Sequence, residues 1–150
     1  MRVLVISKAT KAVDDQKLPI DVHAKAAEFE AMGKFTEELT EAGIMIMGTG
    51  LKPSRFGKKV RFEGAKRHVT DGPFTETKEL IASFSVWEVK SMEHALEIVK
   101  RAPLSEKDAT EIEIRPFLEM EDFDFGGAVP VEEKASWEKM TGQEKPEQAS

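Results

Sequence analysis

The chain has 150 residues and a mass of 16.8 kDa, which suits one domain with a full hydrophobic core. It has no cysteine, so disulfide staples and thiolate chemistry are excluded, and with no apolar leader and no run near the roughly 20 residues that span a bilayer it is expected to be soluble and cytoplasmic. Residues 1–117 hold nineteen acidic and nineteen basic side chains while residues 118–150 hold nine and three, so the net charge of −6 belongs to the C-terminal part, and the neutral body lacks the basic stripe that nucleic acid requires.

In chain order, residues 2–7 read as a strand with apolar groups on both faces, and residues 8–20, with Asp14, Asp15 and Pro19, read as a loop. Val22, Ala26, Phe29, Met32, Phe35, Leu39 and Ala42 recur at spacings of three and four, which predicts one helix with an apolar stripe, stopped by Gly43. Residues 44–48 form a second two-faced strand, and 59–63 with 66–70 predict a hairpin around Glu63-Gly64-Ala65. Its Lys58, Lys59, Arg61, Lys66 and Arg67 read as solvated strand faces. The run Ile81 to Val89 is β-rich, Ser91 is placed to cap a helix carrying Met92, Ala95, Leu96 and Val99, Pro103 ends it, and residues 111–115 alternate strictly. The order β-α-β, hairpin, β-α-β predicts an α+β fold, a ferredoxin-like sandwich with two helices on one face of a mainly antiparallel sheet. After this domain, residues 1–118, an acidic arm follows over 119–150. In it Phe123 and Phe125 are expected to anchor on a body, its own or a partner's, Pro130 to Met140 to form a helix with Trp137, and Thr141 to Ser150 to be disordered.

Two helices cover only one face of such a sheet, yet strands 2–7 and 44–48 carry apolar groups on both. The other face needs a cover, either a second copy related by two-fold symmetry or the C-terminal segment. If Ile112 and Ile114 face the helices, Glu111, Glu113 and Arg115 point to that second face, as ion pairs in solvent or as the polar part of an inter-subunit pocket.

The most distinctive segment is Asp71-Gly72-Pro73-Phe74-Thr75-Glu76-Thr77-Lys78-Glu79. Asp, Gly and Pro together form a strong turn signal, and Phe74 can pin the loop to a core. Asp71 or Glu76 is a candidate general base, since burial without a cation raises a carboxylate toward neutrality; each has a structural role as its alternative. Lys78, Glu79, Arg115 and His68 are candidate ligand-binding groups, and a pairing of His68 with Asp71 would need a bend between them, because three residues apart on a strand they point to opposite faces. His23, His68 and His94 lack metal-ligand spacing, and no Gly-rich phosphate loop or nucleophile elbow occurs, so neither cofactor nor metal is indicated.

The same nine residues resemble the signature of the YCII-related, or DGPF-domain, family of small bacterial proteins. The strand Val3-Leu4-Val5-Ile6, Glu41-Ala42-Gly43, Gly50-Leu51-Lys52-Pro53, Val60-Arg61-Phe62 and Glu113-Ile114-Arg115-Pro116 follow in the order that family shows. The resemblance implies a ferredoxin-like fold pairing as a dimeric α/β barrel, often with a cleft between subunits, and little about activity. Some distant relatives are lyase-type or dehydrohalogenase-like enzymes using a His and an Asp, and the family's frequent association with extracytoplasmic-function sigma factors implies a regulatory protein partner. Relatives often place Gly-Phe and a large aromatic where this chain has Ala82-Ser83-Phe84-Ser85, so a pocket lined by this strand would be roomier and more polar. Two readings stand: a homodimer that binds a small molecule or acts as an interaction module, and a lyase or isomerase with Asp71 or Glu76 as base and Arg115 or Lys78 as electrostatic support.

Overall fold

The computed structural model describes residues 1–105, 107 and 109–143. Met1–Phe117 and the segment from Leu118 on are two compact units. In the first, β1 (Arg2–Lys8), β2 (Met45–Gly50), β5 (Ile81–Glu88) and β6 (Ile112–Pro116) form an antiparallel sheet in the order β2-β5-β1-β6. β3 (Lys58–Glu63) and β4 (Lys66–Asp71) form a separate hairpin inserted between β2 and β5. With α2 (Ala26–Glu41) and α3 (Met92–Val99) as crossovers, the unit has the ferredoxin-like order expected.

Local chemistry accounts for the helix ends. Gly43, at φ +71°, takes the left-handed position after α2, Gly43 N donates to Thr40 O and Ile44 N to Leu39 O, so the last carbonyls are satisfied before the chain turns into β2. α2 begins at Ala26, later than the apolar stripe suggested. Val22 precedes it in a turn where the Asp21 carboxylate accepts from His23 N and Ala24 N, and is half exposed. Ser91 Oγ accepts from His94 N at 3.1 Å, the expected cap of α3. The stretch expected as a loop contains a short helix, α1 (Lys11–Asp14), capped by Thr10.

Both long helices cover the same sheet face. Val3 and Val5 of β1 and Trp87 of β5 are buried with Leu39 of α2 and Ala95 and Ile98 of α3, and Ile112 and Ile114 pack against that cluster. By alternation, Leu4, Ile6, Phe84 and Val86 point to the open face, beside Glu113 and Arg115, which stand opposite Ile6 and Leu4. There Lys8 Nζ and Arg115 Nη1 each donate to Glu113 at 3.1 Å, and Lys8 first, then Arg115, holds the Glu113 carboxyl below the usual carboxylate range. A carboxyl lowered in the folded chain adds stability above its unfolded pKa and loses it as pH falls through the lowered value. Glu113→Gln is therefore expected to lower the urea midpoint at neutral pH and to match the parent in strong acid; an unchanged gap across pH would contradict this.

In the second unit, α4 (Val131–Met140) follows Pro130, as expected. Phe123 packs on Phe125 and Trp137, ring centroids 6.2 and 5.2 Å apart, so the two phenylalanines expected to need a body to rest on find ring contacts within their own unit. The disorder expected for the chain end falls, from residue 144 on, outside the described residues. Among the described residues no helix is long and apolar enough to cross a membrane, and no three His, Asp or Glu side chains group as a metal site would require.

Candidate functional site

The register of the sheet makes a recess. Beneath the helices the side chains form three rows across the strands: Met45, Trp87 and Val3; then Gly48, Ser85, Val5 and Ile114; then Gly50, Ser83, Ser7 and Ile112. The first row is filled, with Val3 and Trp87 buried and Met45 partly so, whereas the other two carry glycine on β2 and serine on β5, so the floor falls away toward one end of the sheet. The recess, about 340 Å³ and open to solvent beside the exposed Gly48, Thr49 and Gly50, is walled by Met32, Phe35 and Thr36 of α2 and bounded by Val99, Ala102 and Leu104 at and after the end of α3.

A β-bulge in β2 sets this arrangement. Met45 pairs with Trp87 and Met47 with Val86, leaving Ile46 as the extra residue. Met45 therefore faces the helices and Met47, half exposed, the open face, while Gly48 and Gly50 return to the helix side. Without the bulge, Met47 and Thr49 would project into the recess. Gly48 is also tight, since a Cβ there would lie 3.1 Å from Ser85 Cβ and 3.4 Å from Met45 Sδ.

The polarity is as particular as the shape. No ionisable side chain among the described residues lines the recess. Thr36 and Thr49 spend their hydroxyls on Gly33 O and Gly50 O, but Ser7, Ser83 and Ser85 make no side-chain hydrogen bond within the described chain. Trp87 contributes one wall, and its indole N–H is buried without a partner. Ser83 and Ser85 thus face the helices and not the open side of the sheet where an inter-subunit cleft would lie.

The signature loop is elsewhere and is held together by a residue outside it. Asp14, at the end of α1, accepts from Ser54 N at 2.7 Å and Ser54 Oγ at 2.6 Å, and Ser54 Oγ accepts from Phe74 N at 3.1 Å. Gly72 N donates to Gly57 O, and Lys59 stands 4.3 Å over the half-buried Phe74 ring. Asp71, expected to need burial for a base, has a side chain 74% exposed and bound to Lys58. Among the described residues its carboxylate accepts from Lys58 and from no backbone N–H of the turn. Glu76, Lys78 and Glu79 are exposed in the following turn, Glu79 and Lys59 bordering a shallow recess with Asp14 and Phe74. His68 Nε2 stands 3.4 Å from Glu63 and does not meet Asp71. Arg115 is bound to Glu113 on the open sheet face. No hydrogen bond or ion pair among the described residues joins Arg115 or His68 to the loop. The sequence presents Asp14 only as a loop residue, Gly50 only as part of the family pattern, and Ser7 and Gly48 only as strand residues; nothing local marks their places at the loop and the recess.

This gives an ordering of effects. Asp71→Asn removes one exposed ion pair and should change stability by no more than about 0.5 kcal/mol, whereas Asp14→Ala leaves Ser54 N and the loop it orders without their acceptor and should cost about 2 kcal/mol. Urea titration of both variants tests the order; a larger loss for Asp71→Asn would overturn it.

The family model of the YCII-related domain matches residues 1–118. No curated protein matches the chain. Among solved structures, it is similar to 5-chloro-2-hydroxyhydroquinone dehydrochlorinase from Burkholderia phenoliruptrix AC1100, in complex with 2,5-dihydroxybenzoquinone, at 16% identity over 83% of this chain and 100% of that one, with a TM-score of 0.40.

Proposed function

This chain belongs to the YCII-related domain family, and on that premise we propose that it is a non-catalytic, small-molecule-binding homodimer whose ligand sits between the sheet and α2 and α3. The observation that carries the reading is the recess itself: apolar walls and, among the described residues, three uncommitted hydroxyls and no ionisable side chain. General acid or base catalysis needs a titratable group within hydrogen-bond reach of the reacting atom, and none of the described residues offers one there. Asp71 and Glu76, the carboxylates a lyase or isomerase would need, stand exposed outside the recess, so we assign them to the loop. The reading is tested by an amide NMR screen of small fragments against the full chain: it expects shifts at Gly48, Gly50, Ser83 and Ser85, and shifts confined to residues 71–79 would overturn it.

The open face supports the dimer. Leu4, Ile6, Phe84, Val86 and Met47 form an apolar surface there, ringed by Lys8, Glu113 and Arg115, and a second copy laid on it by two-fold symmetry closes a dimeric α/β barrel. Sedimentation at micromolar concentration should give twice the chain mass. Met47→Asp, which the bulge places on that face, should shift the mass toward the monomer with the circular dichroism retained; a parent that sediments only as a monomer removes the dimer.

A further inference from the structure

We infer that the recess selects an uncharged, largely apolar molecule bearing one hydroxyl or carbonyl edge, and that Ser7, Ser83 and Ser85 are the residues that read this edge; the inference rests on the binding reading above. Charge comes first. Moving an ion from water into an apolar site is costly unless an opposite charge or a full set of hydrogen bonds receives it, and this recess holds no ionisable group of either sign among the described residues. A carboxylate, phosphate or ammonium ligand would give up water there without a counter-ion among the described residues. An uncharged ligand meets no such cost.

The polar edge follows from the serines. Ser7 and Ser83 stand directly opposite one another on β1 and β5, and Ser85 lies two residues on along the same face. The three serines occupy neighbouring positions on a floor otherwise made of glycine and aliphatic carbon. Each can donate or accept, so together they suit a ligand hydroxyl or carbonyl, whereas a pure hydrocarbon would leave them desolvated and unpaired. The size agrees, since about 340 Å³ is at the small end of ligand pockets.

Three molecules of nearly one shape separate these terms: benzyl alcohol, toluene and benzoate, titrated into the full-length chain at neutral pH and followed at the amides of Gly48, Ser83 and Ser85. Benzyl alcohol should bind most tightly, and benzoate about a hundredfold or more weaker. Ser83→Ala and Ser85→Ala should each weaken benzyl alcohol by about tenfold and leave toluene unchanged, the difference a merely structural role would not produce. Both replacements are small and point into space, so folding should survive, and circular dichroism checks that it does. Benzoate binding as well as the alcohol at these amides would overturn the inference while leaving the binding reading intact, as would serine variants that weaken toluene and alcohol equally. No shift with any of the three up to their solubility would remove the binding reading and the inference with it.

Discussion

Leu39→Ala is expected to lower the unfolding free energy by about 3 kcal/mol and the melting temperature by on the order of 10 °C. Leu39 is 2% exposed and sits in the cluster with Val3, Val5, Trp87, Ala95 and Ile98, where α2 presses on the middle of the sheet. Truncation removes its transfer energy and opens a cavity that the rigid strands beneath cannot close. Phe29, on the same helix but 44% exposed, gives the contrast: Phe29→Ala should cost under half as much despite removing more carbon. Calorimetry of both variants checks the pair, and equal losses would mean that the core is not centred on Leu39.

Gly72→Ala should be of comparable size for a different reason. A Cβ at this position would lie 1.8 Å from the Ser54 carbonyl oxygen and 2.6 Å from its carbon, backbone atoms that no rotamer change can move aside. The substitution must push the signature loop off Ser54, breaking the chain of bonds from Asp14 through Ser54 to Phe74, at a cost of about 3 kcal/mol. Gly64→Ala serves as the control. Gly64 has φ +58° with nothing near its missing side chain, so only the left-handed conformation is penalised, about 1 kcal/mol. Should Gly72→Ala unfold in urea no earlier than Gly64→Ala, the close approach at Ser54 is not what holds the loop.

Much of the fold could be read from the chain because its signals are local. The stripe of α2, Gly43, the Ser91 cap, the hairpin and the alternation of residues 111–115 each lie within a few residues of what they specify; alternation puts Ile112 and Ile114 on one face, and the fold turns that face to the helices. The recess could not be placed in this way. Its side of the sheet depends on the Ile46 bulge, which reverses every later side chain of β2, and its floor pairs Ser7 with Ser83 across 76 positions. The sequence marks Ser83 and Ser85 as a departure from the family it resembles, but their direction is a property of register. The signature loop misled in the opposite sense. Its charged residues look like chemistry when read in sequence, whereas in space Asp71 is engaged by Lys58 and the acceptor that orders the loop is Asp14, forty residues before Ser54.

The central claim is that the ligand site is the recess under α2 and α3 and not the signature loop. Ser85→Phe fills the recess from its floor, while Asp71→Asn and Glu76→Gln alter only the loop's carboxylates. The affinity of the three variants for benzyl alcohol, measured by NMR titration on chains with parental circular dichroism, separates the two locations. The account predicts that Ser85→Phe abolishes binding and that the two loop variants bind as the parent does; retained binding in Ser85→Phe with loss in either loop variant would contradict it.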